Sequence, residues 1–195
     1  PFKETDTVGH PVSIYAATKR SNELIAHTYS NLYNLPSTGL RLFTVYGPWG
    51  RPDMALYKFV KNIIKRKKIE VFNYGNHIRD FTYIDDIVNG IILVINSNKI
   101  FKLKKIRKKN NFDPNTSDCK FKIFNIGSGN QTSLMKYINI IEQELKIKSK
   151  KKYFSLQKGD IKKTLANISD LKKIGYKPKT NPKIGIKKFI KWYKE

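Results

Sequence analysis

The chain is poor in cysteine, arginine and long apolar runs, and each shortage excludes something. A single cysteine, Cys119, in 195 residues leaves no pair for an internal disulfide. That fits a reducing compartment, and a cytoplasmic location is the expectation. The longest nearly apolar stretch, Ile87 to Ile95, is interrupted by Asn89 and is too short to span a bilayer. No secretory signal opens the sequence, which begins at Pro1 rather than Met and reads as part of a longer protein. The three histidines, His10, His27 and His77, stand at no metal-ligand spacing, so no metal site is expected. A glycine-rich G-x-G-x-x-G turn between strand and helix is also missing, since Gly127-Ser128-Gly129 opens none.

Lysine is what the chain has in excess. The formal net charge is +24, which raises nucleic acid as a partner. Its distribution argues against that. Residues 1–98 carry 12 basic and 8 acidic groups, whereas residues 145–195 carry 17 and 3. Arginine, the residue expected for reading base edges, supplies only six of the 39 cations. A solvated basic surface is the simpler reading, with no nucleic-acid partner. Hydrophobic residues at 39% and aromatics at 12% suffice for a real core.

Patterning alternates helix and strand. Leu24, Ile25, Thr28, Tyr29 and Leu32 recur at helical spacing, predicting a helix from Ser13 to about Tyr33 that Asn34-Leu35-Pro36 stops. "TGLRLFTVYGP" reads as one strand ending at Gly47-Pro48. A helix from about Met54 to Lys67, the short strand "IEVFNY" and a brief extended "RDFTY" follow. Asp85-Asp86 then reads as a cap opening a buried helix. Residues 99–120 lack periodicity and read as a mobile surface loop. A strand at 122–127, a helix from Ser133 to Lys146, a loop around Gly159-Asp160, a short helix near Ser169–Ile174 and a last helix from Pro182 to Tyr193 complete the chain. Strands alternating with helices predict an α/β architecture.

Within the first helix, "SIYAATK" puts Tyr15 and Lys19 four residues apart and therefore on one face. A free phenol is a poor base at neutral pH, and an ammonium nearby favours the phenolate. Ala16 and Ala17 keep that face slim, leaving room for a ligand. The spacing alone is common, and the pair reads equally well as an ordinary helix face.

The surrounding residues change this. "HPVSIYAATKRSNELIAHTYSNLYNLPSTGLRLFTVYGPWGRPDMALYKFV", with "RDFTYIDDIV", "FNIGSGN" and "GDIKKTLANISDLKKIGYKPKT", resembles the extended short-chain dehydrogenase/reductase family. Within that family the closest resemblance is to the UDP-glucuronate 4-epimerases. It spans the chain apart from residues 99–120. The resemblance implies the C-terminal part of a Rossmann-type doubly wound sheet, contributed mainly by residues 1–50, plus a small α/β substrate-binding subdomain, mainly residues 51–195 with segments returning to the sheet. It implies NAD as cofactor, a UDP-sugar as substrate, and a homodimer through the Tyr/Lys helix, which forms an intermolecular four-helix bundle in such proteins. Tyr29, Leu32 and Tyr33 offer apolar surface for that bundle.

The same resemblance assigns roles position by position. Tyr15 matches the catalytic base, and Lys19 the lysine that binds the nicotinamide ribose. Phe43 and Thr44 end a strand beside nicotinamide and sugar, with Thr44 facing the sugar. Arg51 matches a residue near the substrate, and Ala55 and Leu56 line the nucleotide. Phe72, Asn73 and Tyr74 match a strand that holds uracil, Arg79 the arginine that grips the pyrophosphate, and Asp160 a loop that closes over the uridine. Bland readings stand beside these: Phe43 and Phe72 as core aromatics, and Arg79 paired with Asp80, Asp85 or Asp86 on the surface. Asn167 departs from the family's aspartate, and the catalytic Ser/Thr and glycine fingerprint are absent from these residues. The activity implied is inversion of a UDP-sugar at C4, from UDP-glucuronate to UDP-galacturonate, for cell-surface polysaccharide precursors. The alternatives are UDP-glucuronate decarboxylase, another nucleotide-sugar dehydratase or epimerase, or an inactive remnant.

Overall fold

The computed structural model describes residues 1–98, 100–101 and 117–195. Most of the loop expected at 99–120 lies outside the described residues. The elements form a mixed α/β structure in which three of the four strand pairs are parallel and every pair joins distant stretches of chain. Strand β1 (Ser37–Leu42) runs parallel to Phe121–Ile126, and β2 (Thr44–Tyr46) parallel to Phe81–Tyr83. Lys68–Val71 (β3) runs parallel to Lys150–Tyr153, and the antiparallel pair is β4 (Ile78–Arg79) with Thr132–Ser133. Those partners are, in chain order, β5 (Phe81–Tyr83), β6 (Phe121–Ile126), β7 (Thr132–Ser133) and β8 (Lys150–Tyr153).

The single strand expected at "TGLRLFTVYGP" is two strands. At Phe43 the chain changes partner: the Phe43 N–H donates to Ile126 O on β6, and the next N–H, of Thr44, donates to Asp80 O beside β5. The run "IEVFNY" is strand only through Val71. Phe72–Gly75 forms a 3-10 turn with Asn73 and Tyr74 both left-handed, at φ 48° and 51°. Strand β8 escapes sequence reading altogether, because its three lysines carry no alternation of apolar residues.

Helix boundaries follow capping chemistry. Helix α1 (Ile14–Tyr33) starts after Ser13, whose hydroxyl accepts the Ala16 N–H at 3.1 Å, and stops at left-handed Asn34. In α2 (Ala55–Ile64), Leu56, Phe59, Val60 and Ile63 are buried at i, i+3, i+4 and i+7, each contributing about 1.5–3 kcal/mol. Helix α3 (Ile84–Ile95) is only partly buried, with Val88, Ile92 and Ile95 exposed. Its N-cap position is Tyr83, not Asp85 or Asp86. Asp86 is buried and accepts the backbone N–H groups of Lys179 and Thr180 at 3.1 and 3.0 Å. Helices α4 (Leu134–Leu145), α5 (Ser169–Lys173) and α6 (Pro182–Lys194) complete the set.

Two hydrophobic cores result. One gathers Phe124 and Ile126 of β6, Ile87 and Val94 of α3, and Leu171 of α5. The other gathers α2, α4 and α6 around β3 and the aromatic group Tyr46, Phe81, Tyr83 and Tyr137, in which Phe81 and Tyr137 stack with centroids 4.0 Å apart. The chain crosses between the cores several times, at β2, at β5 into α3, and at α5 into α6.

Candidate functional site

Helix α1 is amphipathic with its polar side inward. Glu23 lies between Arg20 and Arg41, at 2.8 and 2.7 Å. Burial alone would raise the Glu23 pKa, but the hydrogen bonds and charges of the two guanidinium groups hold it below the ordinary glutamate value. His27 meets Phe121 edge-on, with centroids 5.1 Å apart, and Ser30 is fully buried. Outward stand Ile14, Leu24, Ile25, Tyr29, Leu32 and Tyr33, each more than half exposed.

This orientation leaves Tyr15 and Lys19 open. The Tyr15 side chain, in the first turn after the Ser13 cap, is 71% exposed. The Lys19 ammonium lies over its ring, 5.3 Å from the centroid. Tyr15 stands on the edge of a cavity of about 1250 Å³ whose walls also include Phe43, Thr44, Arg51, Ala55 and Leu56. Thr44 is fixed there because its backbone is bound to Asp80 O. Arg51 is exposed and paired with Asp53 at 3.0 Å, so the cavity side of its guanidinium is reachable. Six of the expected positions thus come together around one space. Lys19, Phe72, Asn73, Tyr74, Arg79 and Asp160 do not line it.

Lys19 stays beside Tyr15 on α1, whereas the others form a second group. Phe72 stacks on Phe154 at 5.3 Å, Tyr74 is exposed, and Asn73 turns its amide onto Asn76 O at 2.7 Å. Arg79 makes its ion pair with Asp160, at 2.9 Å, rather than with Asp80, Asp85 or Asp86. Burial lowers the Arg79 pKa, and Asp160 partly offsets that effect. The two groups meet through the segment after Asp160, because Ile161 and Thr164 line the cavity.

Sequence reading missed the residue that joins these parts. Asp80 is fully buried. Its Oδ1 accepts the Ser128 N–H, the Ser128 hydroxyl and the Thr82 hydroxyl at 2.8, 2.7 and 3.1 Å. Its Oδ2 accepts the Gly129 and Ala166 N–H groups, both at 3.0 Å. One carboxylate therefore ties β5 to the Gly127–Gly129 turn and to the chain beyond Asp160. The only signal for it was position, a carboxylate wedged between Arg79 and an apolar strand. Asn167, where the resemblance has an aspartate, turns its Oδ1 to the Ser169 N–H, 2.9 Å away at the start of α5. Among the described residues no cluster of His, Cys, Asp or Glu could hold a metal ion, and no helix is long and apolar enough to cross a membrane.

Residues 1–106 match the family model described as the NAD dependent epimerase/dehydratase family. The chain is 50% identical to protein CapI of Staphylococcus aureus, matching over 100% of this chain and 58% of that protein. It is 43% identical to UDP-glucuronate 4-epimerase 4 of Arabidopsis thaliana over 99% of this chain and 44% of the relative. The chain therefore spans about half the length of the curated relatives it matches. The solved UDP-glucuronic acid 4-epimerase from Bacillus cereus, in complex with UDP-glucuronic acid and NAD, superimposes with a TM-score of 0.81. The match covers 95% of this chain and 54% of that one, at 29% identity.

Proposed function

The chain belongs to the NAD dependent epimerase/dehydratase family, and on that premise we propose that it forms part of an NAD-dependent 4-epimerase acting on a UDP-sugar, UDP-glucuronate above others. Its product, UDP-galacturonate, would serve as a cytoplasmic precursor for cell-surface polysaccharide. The observation that carries this reading is Tyr15, with the Lys19 ammonium over its ring, at the edge of a cavity whose wall holds Thr44 and Arg51.

The residues present fit the nicotinamide-ribose end of NAD: a phenol and an ammonium on one helix face, uncovered, with Phe43 on the adjoining wall. When bound, NAD supplies hydride acceptance and return at the sugar C4. Tyr15 takes the proton from the 4-hydroxyl and later gives it back, the work of a positioned general base and acid. Lys19 holds the nicotinamide ribose and keeps a positive charge beside the phenol. Arg79 and the Phe72–Tyr74 turn anchor the UDP end, where an arginine fork suits a diphosphate. The sugar must turn over between the two transfers, and that is compatible with small Thr44 and Ala55 at its end of the cavity. A 4-keto glucuronate loses carbon dioxide readily. Arg51, exposed at the rim, holds the carboxylate and keeps the C5 substituent out of the alignment that decarboxylation needs. Outward-facing Leu32 and Tyr29 support pairing of two copies through α1.

The test uses the whole protein that carries this chain, with UDP-glucuronate and NAD, and follows the products by NMR. UDP-galacturonate is expected. Tyr15→Phe should lower turnover by at least about a hundredfold while leaving UDP-glucuronate affinity within about twofold. A pentose product with carbon dioxide would replace the epimerase reading by the decarboxylase one. Near-normal turnover by the Phe variant would remove Tyr15 as the base.

A further inference from the structure

His77 stands two residues before Arg79, the proposed diphosphate anchor, and takes no part in the roles above. It is 5% exposed, and its Nε2 is buried without a hydrogen-bond partner. That nitrogen lies 3.1 Å from Asp160 Oδ2, close enough for an ion pair but out of line for a hydrogen bond. The other oxygen of the same carboxylate is bonded to Arg79 at 2.9 Å. Asp160 thus stands between two nitrogen groups and fully satisfies only one.

We propose that His77 is a positioning residue for the diphosphate of a UDP-sugar: it takes up a proton when the ligand draws Arg79 away, and so holds Asp160 in place of the arginine. The proposal rests on the UDP-sugar reading and goes beyond it, since that reading gives His77 no role. A diphosphate bound at Arg79 competes directly with Asp160 for the guanidinium. Without compensation, the released carboxylate would keep only the Ile161 N–H, at 2.8 Å, and its charge would stand partly buried and unneutralised beside a second anion, an expensive arrangement. A proton on Nε2 turns the idle contact into a charge-assisted hydrogen bond and neutralises the displaced charge.

The surroundings fit a proton that arrives with the ligand. Burial first, and the Arg79 charge second, hold His77 below the ordinary histidine range in the free chain, while Asp160 and the backbone of Phe72 pull it upward. Bringing in an anion and turning Arg79 onto it weakens the downward pull and leaves Asp160 to act alone. Other charged neighbours do not take over this role. Asp80, on the same stretch, is occupied by Ser128, Gly129, Ala166 and Thr82. Lys162 and Lys163, whose backbone pairs with Ile78, have exposed side chains. The residues packed from β7 and α4, Ser133, Leu134 and Met135, carry no charge.

The sign follows from linkage: a ligand that raises proton occupancy binds more tightly as pH falls. The probe is UDP-glucuronate, whose two phosphates are both esterified and lack the second ionisation near pH 6 of a phosphate monoester. Calorimetric titrations of the whole protein that carries this chain would be run across about pH 5.5–8.5, each in two buffers of different ionisation enthalpy. The wild type should take up close to one proton per ligand in part of this range, with Kd rising up to about tenfold per pH unit there. His77→Gln, which keeps much of the volume but cannot be charged, should bind with no proton uptake and a flat pH profile. Asp160→Asn should also lose the uptake, although the histidine remains. Binding by the wild type without proton uptake, or equal uptake by His77→Gln, overturns the proposal and leaves the UDP-sugar reading standing. No binding at any pH overturns both. The wild-type buffer comparison decides the matter even if a variant folds poorly.

Discussion

Asp80→Asn should weaken the fold by an amount the hydrogen-bond geometry fixes from below. The substitution conserves volume, so no cavity term enters, and only donor and acceptor matching changes. An Asn must turn its NH2 group toward one of the two positions now held by carboxylate oxygens. On the Oδ2 side it would confront the Gly129 and Ala166 N–H groups, leaving two buried backbone donors unsatisfied. On the Oδ1 side it would confront one backbone N–H, of Ser128, while the Ser128 and Thr82 hydroxyls rotate to accept instead. The second orientation wins. It leaves one buried donor unsatisfied, at about 1–3 kcal/mol, and trades charge-assisted bonds for neutral ones. A loss of about 2–4 kcal/mol is therefore expected. For a chain of this size that lowers Tm by about 4–16 °C. Thermal and urea unfolding followed by circular dichroism measure it. Asp80→Ala should be worse still, because the Ser128, Gly129 and Ala166 donors all lose their acceptor. If Asp80→Asn unfolds within about 0.5 kcal/mol of wild type, water or rearrangement satisfies those donors, and Asp80 does not tie the three segments together.

Glu142 is nearly inaccessible and accepts from Lys151, Ser149 and Lys148. Burial pushes its pKa up, but those hydrogen bonds win and bring it down to about 2. Its stabilisation is therefore complete above the unfolded value near 4.5 and lost as pH falls towards 2. Acid titration of stability should show Glu142→Gln less stable than wild type at pH 6 and the two curves converging near pH 2; parallel curves would refute this. Gly185→Ala should destabilise by about 1–2 kcal/mol, because an added Cβ runs into the buried Tyr46 ring, with Cζ 2.8 Å away. The better helix propensity of alanine recovers only about 1 kcal/mol, and a net gain in urea midpoint would show that the ring yields freely. Sedimentation of the whole protein at micromolar concentration should show a dimer that Leu32→Glu dissociates; a monomeric wild type would remove the proposed role of the outer face of α1.

What the sequence disclosed tracks the range of the forces involved. Helix α1 was legible from end to end because Ser13 and Asn34 act on their immediate neighbours. The parallel α/β layout was legible because periods of 3.6 and 2 are local. Phe43, where a strand changes partner, was not legible: both partners are remote and each bond is made by the backbone. Strand β8 was not legible because its register comes from β3 and its anchor is Glu142, while its own residues are lysines. At the site, the cavity-lining set from Tyr15 to Leu56 was found through resemblance to a family, since spacing alone left Tyr15 and Lys19 undecided. The resemblance also brought Phe72–Tyr74, but as a strand. The left-handed Asn73 and Tyr74 make that segment a turn, held through Phe154. The roles of Asp80, His77 and Glu142 were not legible, because what distinguishes each is a partner on another element.

The pairing pattern also sets a timetable for synthesis. Every ladder among the described residues joins strands that the ribosome makes far apart: β1 can meet β6, and β3 can meet β8, only after a long stretch of further chain has been made. The Asn125 side chain reaches back 123 residues to Phe2 O. At about 5–20 residues per second, β1 waits several seconds or longer for β6. During that time only the helices can form from neighbouring residues. Such long-range ladders are slow to form, their rate limited by loop closure rather than by local propensity. For these pairings the vulnerable interval is the one before β6 emerges, when an interrupted translation product leaves the β1 edge that faces β6 uncovered beside an apolar-faced helix.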